Sequence, residues 1–84
     1  MPSTTTEAQA LRNEATRCEG LIRLIEAQPT RPLNNAWDLT ASHGIPPVNT
    51  LLFSQAEQVR IVTAHLRRIA TRLQWKALEL ECAR

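Results

Sequence analysis

"SQAEQVRIVTAHLRRIATRLQWKALELECAR", residues 54–84, decides the fold. It holds neither proline nor glycine, and its apolar residues Val59, Val62, Leu66, Ile69 and Leu73 alternate three and four apart. Lys76 takes the next position of that seam, and Ala77 and Leu80 carry the stripe on. This period is that of an amphipathic helix with a coiled-coil-like heptad seam, and it predicts one continuous helix over about 54–83, roughly 45 Å long. Ser54 and Glu57 stand at capping-box spacing, where hydroxyl and carboxylate each accept from the other's backbone amide. Leu51, Leu52 and Phe53, just before the box, are expected to staple the helix start or plug the end of a bundle.

Residues 4–28 repeat the pattern. Ala8, Leu11, Ala15, Cys18, Ile22 and Ile25 form a second seam, and Thr4 to Glu7 resembles a second capping box. Gly20 weakens the middle of this helix and opens room for close approach of another. Pro29 and Pro32 end it near Gln28, because proline lacks an amide proton and disfavours a helical residue before it.

Between the long helices runs the bridge, about 29–53. A structureless segment of that length is unusual in a compact domain, so a short helix is expected over about 35–42, stopped by Gly44 and the Pro46-Pro47 pair. Trp37, Leu39 and Ile45 are its expected anchors. The fold class is therefore all-α: a single domain, an antiparallel hairpin of two long helices with a short bridging helix, completed as a homodimeric bundle. Matched seams place Ile25 beside Val59 and Ala8 beside Lys76, so that the last turns of the long helix, with Trp75, project past the start of the first.

Composition sets the outer limits. At 84 residues the chain buries a modest fraction of its surface, and such small domains usually need a staple or a partner. Two cysteines make no disulfide framework, and the matched seams hold Cys18 and Cys82 roughly 24 Å apart along the axis. No uncharged run is long and apolar enough for a bilayer, and the first residues have no basic start or apolar region of a signal peptide, so a cytoplasmic protein is expected. The net charge of +2 lacks the strong basic excess of a typical nucleic-acid binder.

The last helix carries a second stripe. Ile61, Ala64, Arg68, Thr71, Trp75, Leu78 and Cys82 fall opposite the seam, again three and four apart. Isolated apolar residues on a helix back need no explanation, and the bridge folding over them would account for this face. Tryptophan and arginine are, however, enriched at protein interfaces. Arg68, Arg72, Trp75, Leu78 and Cys82 are thus the candidate partner-binding residues, toward a second copy or a larger host protein.

Other chemistry is weakly signalled. Cys18, Cys82, His43 and His65 match a zinc site in number but not in spacing. Asp38, Ser42 and His43 hold the residue types of a hydrolytic triad, yet a triad is defined by geometry and no nucleophile motif accompanies them. "PTRP", residues 29–32, fits a short groove-ligand pattern that recurs by chance. Pro46 and Pro47 spoil a helix-turn-helix reading. Arg60, Arg67, Arg68, Arg72 and Lys76 give the last helix a basic flank, so the alternative function is a nucleic-acid-binding helical dimer. The leading expectation is a non-enzymatic, cofactor-free and metal-free module: an adaptor, inhibitor or assembly factor, of the kind phages and mobile elements encode, acting by stoichiometric binding.

Overall fold

The computed structural model describes residues 3–82, with side chains from residue 6. Three helices follow one another, α1 (Ser3–Ala27), α2 (Asn34–Ser42) and α3 (Gln55–Cys82), with no strand among the described residues. The helical periods, the proline stop after α1 and the short bridging helix all stand as expected.

α1 and α3 pack antiparallel along nearly their whole length. The core consists of their seams, with Cys18, Ile22 and Ile25 on α1 and Val62, Leu66, Ile69 and Leu73 on α3, all buried. Ala8, Ala15 and Ala77 are also buried, although they are small. Small residues that face a helix contact let the backbones come close there. At the other end larger side chains fill the core, and Leu33, Ala36, Trp37 and Leu39 wedge in from α2 and the residue before it.

Three polar contacts flank this seam. Arg12 pairs with Glu81, Gln74 Nε2 donates to Glu19 at 2.9 Å, and Arg67 pairs with Glu26. The partners are spaced seven residues apart on each helix, so they form successive rungs of one ladder. Glu81, in the last turn of α3, therefore lies alongside α1, and the expected overhang at Trp75 does not form. Repeating seams specify which faces meet but leave their sliding open, whereas unlike charges select one register.

The chain reversals are built from local hydrogen bonds. Gln55 Nε2 donates to the carbonyls of Pro29 and Arg31, fastening the turn after α1 to the first turn of α3. α2 ends in a Schellman motif, with Gly44 N–H on Ala41 O at 3.0 Å and Ile45 N–H on Thr40 O at 3.0 Å. Gly44 has φ of +84°, which only glycine adopts without strain, and Ile45 packs against the core. His43 Nε2, 3.1 Å from Glu14 Oε2, then ties this end of α2 to α1. Buried Thr40 satisfies its hydroxyl on Trp37 O, and buried Thr63 does so on Val59 O.

Several local expectations are corrected. Leu51 and Leu52 plug nothing: they are 92% and 73% exposed on a turn in which Leu51 N–H donates to Asn49 Oδ1 and Leu52 N–H to Asn49 O. That Asx-type turn directs both leucines outward, and only Phe53 is half-buried. α1 is already helical at Ser3, so Thr4 lies within the helix, and the expected Thr4–Glu7 pairing falls outside the described side chains. A Cβ on Gly20 would meet nothing within 4 Å, so among the described residues no second element uses the space there.

The second capping box forms in full. Ser54 N–H donates to Glu57 Oε1 at 2.8 Å, and Glu57 N–H donates to Ser54 Oγ at 3.2 Å. The bond from the Ser54 backbone, and then that with its hydroxyl, hold the Glu57 carboxyl below its ordinary pKa. A carboxylate depressed in the folded state stabilises above its unfolded pKa, and that contribution is lost as pH falls through the folded value. Ser54→Ala keeps the backbone bond and removes the hydroxyl, so it should raise the Glu57 titration, followed by carboxyl NMR, only part of the way, whereas Glu57→Gln should remove this contribution to the acid-side fall in thermal stability altogether. In the core, Leu66 is fully buried, and Leu66→Ala should cost about 2–5 kcal/mol in urea denaturation, the range for a leucine-sized cavity.

Candidate protein-interaction face

α3 is packed against α1 where the candidate residues sit. Its inner side is locked into the seam through Leu66, Ile69, Leu73 and Ala77, and its flank is held by the Gln74 and Arg67 rungs. At about 100° per residue, Trp75 lies opposite the centre of this buried side. Trp75 is 63% exposed and Leu78 is 44% exposed, with Arg68, Arg72 and Cys82 also exposed. The five sequence-selected residues therefore share one outward surface.

The bridge covers only the beginning of this face. Ile61 is half-buried and packs against the core, whereas Ala64, Arg68, Thr71, Trp75, Leu78 and Cys82 are exposed. α2 has nine residues, about 13 Å of helix, and it spans too little of α3 to reach Trp75. Bridge cover thus accounts for Ile61 and not for the tryptophan.

The polar groups around Trp75 differ from those facing α1. An Arg68 guanidinium nitrogen lies 3.1 Å from His65 Nδ1. Partial burial, and then the Arg68 charge, lower the His65 pKa, so the ring is an acceptor toward the guanidinium near neutral pH. Arg72, Lys76 and Glu79 are exposed and make no ion pair among the described residues. Arg67, Arg68 and Arg72 surround a shallow depression at Thr71.

The other candidate chemistries are not assembled. Ser42 Oγ donates to Leu39 O, His43 bonds Glu14, and Asp38 is exposed, so these three residues do not form a triad. Cys18 is buried in the core, Cys82 is exposed, and both are free. His43 and His65 have separate partners, and no group of three His, Cys, Asp or Glu side chains converges on a metal position among the described residues. No described helix is long and apolar enough to cross a membrane.

Two apolar surfaces lie outside the sequence-selected set. One is the Leu51–Leu52 turn. The other is a groove of ≈ 570 Å³ between α1 and α2, lined by Gly20, Leu21, Leu24 and Leu39 and rimmed by Arg17 and Asp38. Leu24 is 47% exposed there. Leu21 and Leu24 lie beside the α1 seam in sequence; Leu21 is half-buried against the core, and the distance of α2 from α1 leaves Leu24 exposed.

The two thiols report on this geometry. Burial, and then the nearby Glu14 carboxylate, raise the Cys18 pKa, so Cys18 is doubly protected from alkylation. Cys82 should react with iodoacetamide in the native protein, while Cys18 should be labelled only at the rate of global opening, as read by mass spectrometry across a urea series. Fast native labelling of both would contradict the placement of Cys18. Compared with protein-family models, curated proteins and solved structures, the chain matches none.

Proposed function

We propose that the protein is a small binding module, without catalytic activity of its own, that acts by stoichiometric association through the outward face of α3. The observation that carries this reading is Trp75, a large apolar ring 63% exposed about two turns before the end of α3, on a stretch of helix packed against α1, with Leu78 beside it. A tryptophan held open on a helix gives a partner a wide contact area with little side-chain entropy left to lose. Leu78 and Cys82 extend the apolar strip, and Arg68 and Arg72 at its edge supply orientation and charge complementarity. An adaptor, an inhibitor and an assembly factor all work in this way.

A second reading is favoured by the depression that Arg67, Arg68 and Arg72 form around Thr71. Three guanidinium groups about one hydroxyl suit an anionic group, including a nucleic-acid phosphate. Against it, Arg67 is engaged by Glu26, and Glu79 adds negative charge to the same face.

The deciding experiment compares the wild type with Trp75→Ala and with Leu51→Ala, a control at the exposed turn. Native mass spectrometry and co-purification would measure what associates, and far-UV circular dichroism would check helicity. Trp75→Ala should weaken association at least tenfold with helicity unchanged, and Leu51→Ala should leave both intact. Association that ignores Trp75→Ala and falls steeply with added salt would instead support the phosphate-binding reading.

A further inference from the structure

The charges around Trp75 are arranged to fit a copy of themselves. Arg68 and Arg72 lie on the N-terminal side of the ring, and Glu79 lies on its C-terminal side, all within about 60° of it around the helix. Arg72 and Glu79 are seven residues apart, two turns of one face, about 10 Å along the axis. Both are exposed and neither has an ion pair among the described residues. The face toward α1 is different, since there Arg12 meets Glu81 and Arg67 meets Glu26 across an antiparallel helix pair.

We propose that α3 pairs with α3 of a second copy, antiparallel about a two-fold axis near Trp75, so that Arg72 of each copy meets Glu79 of the other. The inference rests on reading this face as a docking surface, and it names the occupant. Parallel pairing would set Arg68 and Arg72 against their own copies and Glu79 against Glu79, like charges throughout. Antiparallel pairing joins Arg72 to Glu79 at two symmetric sites and brings the two tryptophans together at the centre. There the Arg72 guanidinium also lies within reach of an indole face, a favourable stacking partner. A two-fold contact is self-complementary, which is the pattern this face shows.

The contact is a single helix face about four turns long, so it falls at the small end of specific interfaces. Association is accordingly weak, and mass rises with concentration from 9.5 kDa toward twice that value.

The test uses two charge reversals at exposed positions, Arg72→Glu and Glu79→Arg, beside the wild type and Trp75→Ala, in sedimentation at low salt with circular dichroism as the folding control. Alone, each reversed variant sets like charge against like at both sites of the pair and should self-associate at least tenfold more weakly than the wild type. Mixed in equal amounts, the two should recover association as a heterodimer. At one site the two substituted side chains then face each other with their charges exchanged, and at the other the native Arg72–Glu79 pair forms. Weakening of each variant alone is what marks the antiparallel arrangement, since a parallel pair sets like charge against like in the wild type and in each variant equally; variants that alone associate as the wild type does overturn it. A wild type that stays at 9.5 kDa at millimolar concentration, or variants that fail to recover on mixing, overturns the proposal. Loss of association in Trp75→Ala without recovery on mixing overturns the antiparallel pairing alone and leaves the face as a docking surface for another protein. Association indifferent to Trp75→Ala overturns both.

Discussion

The structure depends on the close approach of α1 and α3 along one seam. Ala8, Ala15, Cys18 and Ala77 are small enough to let the backbones come together at one end, and this proximity is what places Arg12 against Glu81 and Glu19 against Gln74. Exposed polar pairs of this kind add little to stability, since solvent screens them and ordering the side chains costs entropy. Their effect is on register. A slide along the seam would keep much of the apolar contact but would break all three rungs together. The apolar residues supply cohesion, and the rungs choose among nearly equal alignments.

From that alignment follows the shape of the other end. Larger residues, Ile22, Ile25, Val62 and Leu66, make up the core there, joined by Trp37 and Leu39 from α2. α2 packs mainly on α3, and this leaves the groove at Leu21 and Leu24 along α1. Its C-terminal end is fixed by the Schellman turn at Gly44 and by the contact of His43 with Glu14 on α1. Being short, it shelters Ile61 and no more of the outer face of α3. The exposure of Trp75 is thus a consequence of the length of α2 and of the bonds that fix its position.

Much of this is legible in the sequence because helical period and proline and glycine punctuation are local signals. The two seams name the buried apolar residues of the long helices apart from Ala70, and Ser54 with Glu57 marks the start of α3. The bridge anchors Trp37, Leu39 and Ile45 are also legible, since large apolar residues in a polar segment have few places to go. What the pattern misses is non-local or depends on one turn. Leu51 and Leu52 are apolar and adjacent to a capping box, but the side chain of Asn49 sets the turn that exposes them. The overhang does not form because periodicity carries no information on sliding. Gly20 marks room that no second element among the described residues takes up. The outward direction of Trp75, Leu78 and Cys82 can be read from spacing, while the shortness of the cover over them cannot.

The two tryptophans separate what folding explains from what it does not. Trp37 is buried in the core, and truncating such a residue typically costs about 3–5 kcal/mol, a large share of a small domain's stability. Its ring is accounted for even though its buried Nε1 has no hydrogen-bond partner among the described residues. Trp75 shares the chemistry and none of the environment: it touches solvent over most of its surface, and helix propensity gives no reason to prefer it to alanine there. Within a single chain its apolar area remains hydrated, so the hydrophobic effect is largely unspent at that position. Contact with another surface would release that water, and the charges set around the ring would determine which surfaces could approach closely enough for that to happen.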